Sequence, residues 1–340
     1  MEHHPVNVLI TVPFPEPLIE QLREVSPRLQ ITIHSARKAE DIPDESWERV
    51  EVLYTDIVLP APERVPNLRW LQFHYAGIDF ALESPLMQKP DLMVTTLSGA
   101  AAPQASEFLL TMMLALSHRL PELIARQSRA EWPRERGDKL NPRELRNSTV
   151  GIIGYGSLGR ELARLLQPFN VTILATKREV MHPQDTGYIP EGLGDPGGDL
   201  FTRLYPVEAL CSLLKECDFV VVTLPLTPLT TDLIGEKEFR AMKTTAYLID
   251  IGRGGVINSK ALLSALQENR IAGAALDVFT TEPLPSNSPF WKLPNVVITP
   301  HIAGASQYYR ERAIPLFAEN LRRYLNNSPL LNRYEPQRKY

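Results

Sequence analysis

The chain has 340 residues and a net charge of −4, with 36 Lys and Arg against 40 Asp and Glu. Hydrophobic residues make up 44% and charged residues 22%, values that exclude disordered, collagen-like and membrane-embedded classes. No block of basic residues is long enough to follow a phosphate backbone, so a nucleic acid is not expected as a partner.

The cysteine usage and the apolar runs predict a cytoplasmic protein. Cys211 and Cys217 lack C-x-x-C or metal-ligand spacing, which is typical of reduced thiols. The first apolar run, residues 8–12, is too short for a signal peptide. The longest one, residues 108–116, is shorter than the roughly 20 residues that a membrane span needs. We therefore expect no membrane partner.

Short β-branched runs alternate with helical patterns, and this alternation predicts an α/β protein with parallel sheets. In the first hundred residues it indicates a helix over 17–25 and strands over 8–11, 30–33, 52–54, 69–73 and 92–95. These elements form a small doubly wound unit.

A helix predicted over residues 106–120 is apolar around nearly its whole circumference. Such a helix is buried between domains or between subunits, because water cannot cover all its faces favourably. A 340-residue monomer covers it poorly, so we predict a homodimer.

A second α/β series begins near residue 148. Its predicted strands are 149–153, 171–175, 219–223, 246–250, 272–278 and 296–299, with a helix over 160–167. Residues 183–206 depart from this rhythm, since they hold five glycines and four prolines without periodicity. We predict a long loop there, and such loops are typically functional or mobile.

The first strand of this series leads into a G-x-G-x-x-G turn, which a helix follows. The first glycine permits the tight turn, the second lets the backbone approach a pyrophosphate, and the third lets helix and strand pack closely. The pyrophosphate then meets the free N–H groups of the helix N-terminus. A plain structural turn is the alternative to this dinucleotide site. The motif consists of Gly154, Tyr155, Gly156, Ser157, Leu158 and Gly159.

Three further motifs follow predicted strands: 250–255 around Arg253, 275–285 with Asp277 and Glu282, and 299–304 around His301. Ligands of an open parallel sheet bind outside the carboxyl ends of its strands, so Arg253, Glu282 and His301 converge there. Taken singly, each has a structural interpretation: a satisfied histidine, a loop-capping arginine, a solvated turn or a strand-end acid.

These motifs, in this order, resemble the D-isomer-specific 2-hydroxyacid dehydrogenase family, which includes glyoxylate/hydroxypyruvate reductases. The resemblance covers most of the chain and also includes residues 75–79, 105–107 and 224–227, with Trp132 and Thr230. It implies a Rossmann dinucleotide-binding domain, 105–304, inserted into a smaller flavodoxin-like substrate domain, 1–104 and 305–340. The active site is then expected in the cleft between them.

The resemblance also implies catalytic roles. Arg253 binds the substrate carboxylate and the reacting oxygen, His301 is the general acid/base, and Glu282 orients His301. The chemistry suits these residue types, because reduction of a 2-oxo acid needs a proton donor that is charged near neutral pH and can cycle. An arginine stays cationic while it binds a carboxylate bidentately.

Binding residues follow from the same resemblance. The backbone N–H groups of Tyr75, Ala76 and Gly77 are expected to cradle the substrate carboxylate, and Asp277 to accept a hydrogen bond from the nicotinamide amide. Further cofactor contacts are implied for Pro225, Thr230, Ile251 and Gly304, beside the glycine-rich turn. The histidines show no metal-ligand spacing with acidic or thiol partners, so we predict no catalytic metal.

The end of the second strand in the series predicts the cofactor. NAD-specific sites place an acidic residue there for the ribose hydroxyls, whereas this chain has Thr176, Lys177 and Arg178. Both cations and the hydroxyl suit a 2′-phosphate. The sequence favours NADP(H), and NAD(H), served by Glu179, is the alternative.

The sequence thus predicts an oxidoreductase that transfers a hydride between NADP(H) or NAD(H) and a small 2-oxo acid or D-2-hydroxy acid. Two alternatives stay open: a phosphite dehydrogenase of the same family, and a dinucleotide-sensing interaction protein resembling C-terminal-binding-protein corepressors. Formate dehydrogenases carry a glutamine where this chain has Glu282, which favours a hydroxyacid. The identity of the acid and the direction of the reaction are left open.

Overall fold

The computed structural model of the protein describes residues 4–134 and 137–336. The chain divides into two compact units. Residues up to 100 and from 306 onward form the first unit, and residues 101–305 form the second unit. The sequence prediction drew the boundaries at 104 and 305. The ends of its first domain, residues 1–3 and 337–340, lie outside the described residues.

The first unit contains a sheet of five parallel strands in the order β2-β1-β3-β4-β5. Every residue of β3 and β4 is buried, as expected for central strands of a parallel sheet that is covered on both faces. The elements are β1 Val6–Ile10, α1 Glu16–Arg23, β2 Leu29–Ile33, α2 Asp44–Arg49, β3 Val52–Thr55, β4 Trp70–Phe73 and β5 Met93–Thr95.

The second unit contains seven parallel strands in the order β12-β11-β10-β9-β6-β7-β8. Its strand order reverses next to β6, which is where doubly wound sheets bind their ligands. The elements are α3 Ala102–Ser117, α4 Leu120–Ser128, α5 Gly137–Leu140, β6 Thr149–Ile153, α6 Ser157–Leu166, β7 Thr172–Thr176, β8 Arg203–Tyr205, α7 Leu210–Leu214, β9 Phe219–Val222, α8 Glu236–Ala241, β10 Tyr247–Asp250, α9 Ser259–Gln267, β11 Gly273–Leu276 and β12 Val296–Ile298.

The chain then returns to the first unit through α10 Tyr309–Leu325. The Phe317 ring of this helix lies 4.7 Å from that of Tyr54 and 5.5 Å from that of Trp70. The Tyr324 hydroxyl donates a hydrogen bond of 2.5 Å to Glu51. The predicted α/β class with two parallel-sheet domains is confirmed.

The apolar helix differs from its prediction of 106–120. Helix α3 begins four residues earlier and ends at Ser117, and α4 follows as a separate helix. Arg119 adopts a left-handed conformation (φ 56°), and Pro121 lacks the N–H that would continue the first helix. Among the residues described, no single helix is long and apolar enough to cross a membrane, although α3 and α4 reach that length and composition as a pair bent by 65°.

The glycine- and proline-rich segment, residues 183–206, is not a loop throughout. Its end forms the edge strand β8, which pairs in parallel with β7. The prediction of a loop is therefore wrong for these three residues. A strand of only three residues, next to Pro206, gives too weak a periodic signal to be read from sequence.

Candidate active site

The glycine-rich turn joins β6 to α6 with the geometry that a dinucleotide needs. Gly154 has a φ of +106°, a conformation that side-chain-bearing residues rarely adopt. A Cβ on Gly159 would lie 2.7 Å from the Gly154 carbonyl oxygen, so the helix is packed directly on the turn. A Cβ on Gly156 would meet no described heavy atom within 4 Å, which leaves this backbone approachable. Ser157 then begins α6, and Leu158 packs against the core.

A residue at the end of β7 forms a hydrogen bond with the glycine-rich turn. The Thr176 hydroxyl accepts a hydrogen bond of 3.1 Å from the Gly154 N–H, and the side chain is only 2% exposed. The structure therefore gives Thr176 a bracing role, and its contact with a cofactor stays a prediction. Lys177 is half-buried and donates to the carbonyl oxygens of the loop that follows, while Arg178 is exposed. Burial lowers the pKa of Lys177.

The loop after β9 is held by one hydroxyl. Thr230 Oγ1 donates to the Pro225 carbonyl oxygen at 2.6 Å and accepts from the Thr227 N–H at 2.7 Å. These bonds close the turn that carries the predicted cofactor residues Pro225 and Thr230. Ile251, at the end of the neighbouring strand, is 7% exposed and belongs mostly to the core.

The three predicted catalytic residues follow three adjacent strands, β10, β11 and β12. His301 Nδ1 lies 2.7 Å from Glu282 Oε2. The other carboxylate oxygen, Glu282 Oε1, accepts a hydrogen bond of 2.9 Å from the Phe279 N–H. Both side chains are partly exposed. Because Nδ1 is committed to Glu282, Nε2 is the ring nitrogen that can exchange a proton with a ligand.

Asp277 holds the backbone around His301, a role that the sequence did not reveal. The His301 N–H donates to the Asp277 carbonyl oxygen, and the N–H groups of Ile302 and Ala303 donate to its two carboxylate oxygens, each at 2.9 Å. The Thr299 hydroxyl adds a fourth bond, at 2.6 Å. These bonds keep His301 at a φ of +52°, a rare conformation for a non-glycine residue. The predicted contact of Asp277 with nicotinamide stays a prediction.

Arg253 lies on a loop that is packed tightly against the loop of Glu282. Its Nη1 donates to the Gly252 carbonyl oxygen at 2.8 Å. A Cβ on Gly254 would lie 2.0 Å from the Phe279 carbonyl oxygen, so only glycine permits this close approach. Because Phe279 also anchors the carboxylate of Glu282, the two loops are fixed to each other through one residue. Gly304 lies near Ala101: a Cβ on Gly304 would lie 3.5 Å from the Ala101 Cβ, which is an ordinary van der Waals contact.

Asp250, at the end of β10, is a buried acid that sequence reasoning missed. It is 4% exposed, and its Oδ1 accepts a hydrogen bond of 3.0 Å from the Gly252 N–H. Burial raises the pKa of Asp250 to about 7, aided by the nearby charge of Asp277 and opposed by Arg253 and the Gly252 N–H. Within residues 4–134 and 137–336, no three His, Cys, Asp or Glu side chains form a group that could hold a metal ion.

In the first unit, the predicted substrate loop of Tyr75, Ala76 and Gly77 follows β4. The Tyr75 carbonyl oxygen accepts from the Leu97 N–H at 3.1 Å, and its ring is partly exposed. Directly before it lies His74, which is buried among aromatic rings. The role of this loop in binding a carboxylate stays a prediction. The aromatic cluster around His74 had no signal in the sequence.

Comparison with known families gives one match that spans most of the second unit. The profile described as "D-isomer specific 2-hydroxyacid dehydrogenase, NAD binding domain" matches residues 110–303. This span is more than half of the chain and includes the glycine-rich turn, Arg253, Glu282 and His301.

Individual relatives extend the similarity to both units. The glyoxylate reductase of Thermofilum pendens is 33% identical over 323 residues, which cover 93% of this chain and 90% of that protein. A D-isomer specific 2-hydroxyacid dehydrogenase of Xanthobacter autotrophicus Py2, solved with NADPH and MES, is 28% identical with a TM-score of 0.79 and covers 99% of this chain and 100% of its own. The NADPH-dependent glyoxylate/hydroxypyruvate reductase of Sinorhizobium meliloti, solved with NADP and sulfate, is 25% identical with a TM-score of 0.76, covering 98% and 100%.

Proposed function

Because the chain belongs to the D-isomer specific 2-hydroxyacid dehydrogenase family, we propose that it reduces a small 2-oxo acid, or oxidises the matching D-2-hydroxy acid, with NADP(H) as its preferred cofactor. It is an NAD(P)-dependent oxidoreductase that acts on the CH–OH group of donors. The observation that carries the proposal is the 2.7 Å contact between His301 and Glu282 on the sheet that also bears the glycine-rich turn.

The residues of this chain suit a nicotinamide dinucleotide. The approachable backbone at Gly156 and the N-terminus of α6 fit its pyrophosphate. When bound, the cofactor supplies the hydride for reduction. Arg253 binds the substrate carboxylate through its planar guanidinium, and His301 holds a proton at Nε2 and donates it to the carbonyl oxygen. Glu282, anchored by the Phe279 N–H, keeps the imidazole oriented through its Nδ1.

The preference for NADP(H) is supported by the charges at the end of β7. Lys177 and Arg178 stand where NAD-specific enzymes carry a carboxylate, and a carboxylate there would repel a 2′-phosphate. Two similar proteins were solved with NADPH or NADP. The test is kcat/KM with NADPH and with NADH, for the natural chain and for Lys177→Asp. A preference of the natural chain for NADH would refute the assignment.

The substrate proposal rests on the names of the relatives, several of which are glyoxylate or glyoxylate/hydroxypyruvate reductases. The test follows the loss of reduced-cofactor absorbance with glyoxylate, hydroxypyruvate, pyruvate and larger 2-oxo acids. Phosphite and formate are offered with the oxidised cofactor in parallel. Turnover of phosphite alone would replace the proposal with phosphite oxidation. Cofactor binding without turnover of any acid would favour a dinucleotide-sensing protein.

A homodimer is supported by the apolar residues that this chain leaves uncovered. Helix α3 packs one face on α6, whereas Phe108 and Met112 stay partly exposed. On α4, Leu120, Leu123 and Ile124 are 42–54% exposed. A second copy that covers these residues removes apolar surface from water. Light scattering that shows a stable, active monomer at micromolar concentration would contradict this. The cytoplasmic location stays a prediction.

A further inference from the structure

In the loop after β7, three successive carbonyl oxygens accept hydrogen bonds from two cationic side chains. Lys177 Nζ donates to the His182 oxygen at 2.5 Å and to the Gln184 oxygen at 2.9 Å. The Pro183 oxygen between them accepts a hydrogen bond from Arg160 Nη2. The segment 182–184, which we call the carbonyl clamp, is thus bound by Lys177 and Arg160 at once.

Arg160 is placed for this from inside the fold. It lies on α6, directly after the last glycine of the turn, and is only 1% exposed. Its Nη1 donates to the Asp195 carbonyl oxygen at 2.5 Å, and its Nε lies 3.3 Å from Asp185 Oδ2. Its guanidinium also lies over the Tyr155 ring, 4.8 Å from the centroid. A buried guanidinium that binds three parts of one loop fixes that loop to α6.

Asp195 completes the attachment of the loop to the glycine-rich turn. Its Oδ2 accepts a hydrogen bond of 2.7 Å from the Tyr155 hydroxyl and one of 3.1 Å from the Leu200 N–H. Its Oδ1 accepts from the N–H groups of Gly198 and Asp199, at 3.0 and 2.9 Å. The whole segment is therefore built onto the two elements that bear the predicted cofactor contacts, and it is not a free surface decoration.

We propose that Arg160 is a positioning residue for cofactor discrimination: by holding the carbonyl clamp, it holds the Lys177 ammonium where a 2′-phosphate binds. This inference rests on the proposed preference for NADP(H). Lys177 has three N–H donors, and the clamp occupies two of them in directions set by adjacent carbonyl groups. One donor is left for a phosphate oxygen, on a side chain whose conformational freedom has already been lost.

The consequence is a selective effect on the phosphate. Without Arg160, the Pro183 carbonyl loses its donor, the clamp moves more freely, and Lys177 must be ordered anew each time a phosphate binds. Immobilising one long side chain costs about 3- to 10-fold in affinity. A ligand without the 2′-phosphate does not use the ammonium and is unaffected.

The test compares two fragments of the cofactor, 2′,5′-ADP and 5′-AMP, by calorimetric binding to the full-length protein. For Arg160→Gln we expect the affinity for 2′,5′-ADP to fall by about 3- to 10-fold and that for 5′-AMP to change by less than about twofold. The kcat at saturating NADPH stays unchanged. Asp185→Asn, which weakens the charge partner of Arg160 but keeps an acceptor for the Gly187 N–H, gives a smaller change of the same kind.

Arg240→Gln is the matched control, since Arg240 forms an exposed ion pair with Glu236 on α8, another helix of the same unit. If the affinities for both fragments fall equally in Arg160→Gln and Asp185→Asn, the inference is overturned, because an equal fall indicates general damage to the site. It is also overturned if both variants fold and keep the ratio of the two affinities that the natural chain has. If Arg160→Gln does not fold, Asp185→Asn decides in the same way. Equal binding of the two fragments by the natural chain refutes the NADP(H) preference itself.

Discussion

Each unit places a histidine within three residues of the carboxyl end of a parallel strand, but the surroundings of the two histidines are opposite. His74, after β4, is 6% exposed, lies among aromatic rings and pairs through Nδ1 with the Tyr54 hydroxyl at 2.7 Å. His301, after β12, is partly exposed and pairs with a carboxylate at the same distance. Burial lowers the pKa of His74 to about 4, with Arg310 lowering it further and Asp56 opposing. Position after a strand is therefore shared by both histidines, whereas the hydrogen-bond partner and the exposure differ and support the proposed proton transfer at His301 alone.

The two units also bury titratable groups of opposite kinds. The first unit buries a base, His74, and the second buries an acid, Asp250, each at the end of a strand beside a loop with a predicted role. Burial favours the neutral form of both groups. We therefore expect the contribution of His74 to stability to be lost on acidification, and the contribution of Asp250 to be lost as the pH rises.

The largest effect is expected at His301, and it tests the functional side of the comparison. His301→Ala removes the proposed proton donor and should lower kcat by about 10²- to 10⁴-fold while the protein stays folded. His118→Ala, at the exposed end of α3, is the control and should keep full activity. The measurement is kcat on the best 2-oxo acid. A kcat near the natural value for His301→Ala would mean that the two histidines do not differ in the way described.

The next effect concerns Asp250. Its pKa of about 7 in the folded protein lies above the ordinary value of 3.8, so the folded state retains the proton and the free energy of unfolding falls as pH rises through this range. The difference corresponds to up to about 4 kcal/mol. Asp250→Asn keeps the acceptor for Gly252 and should stabilise the protein at pH 8 but not below pH 4. Denaturant unfolding followed by circular dichroism measures this. A pH dependence identical to that of the natural chain would contradict it.

His74 should show the reverse dependence. Its pKa of about 4 lies below the ordinary 6.5, so its contribution is fully present above pH 6.5 and is lost as pH falls towards 4, by up to about 3 kcal/mol. His74→Gln should flatten this acid sensitivity. The fluorescence of the fully buried Trp47 and Trp70 reports on the first unit, because Trp132 and Trp291 are exposed. An equal loss of stability at pH 5 in variant and natural chain would remove the contrast between the units.

The smallest effect is expected at Glu282, the hydrogen-bond partner of His301. Glu282→Gln cannot accept hydrogen bonds at both positions where the carboxylate now receives them from Phe279 and His301. We expect kcat to fall by about 10- to 100-fold, because one of the two hydrogen bonds that orient the imidazole and anchor its partner is lost. The measurement is kcat on the best 2-oxo acid at saturating substrate. A kcat equal to that of the natural chain would indicate that Glu282 does not orient His301.

Much of the second unit could be predicted because its signals are local. The glycine-rich turn was predicted from its glycine spacing between a strand and a helix, and the structure explains each glycine by a positive φ, an approachable backbone or a close contact. The end of α3 and the strand β8 were predicted incorrectly, since Arg119 and the short edge strand carry no periodic pattern. The cations at the end of β7 were predicted as cofactor residues from their charge. The contacts between β7 and the loop that follows it could not be predicted from the sequence.

By itself the sequence determined the α/β class, the family and the residues that follow the strand ends, because strand periodicity and motif spacing are properties of neighbouring residues. Only the tertiary structure decided what each of those residues touches. The hydrogen bonds between Asp277 and the loop of His301 had no signal in the sequence, nor did the buried contacts of Arg160 with the loop after β7. Such contacts join residues 25 to 35 positions apart, and their geometry depends on how the sheet brings the ends of its strands together.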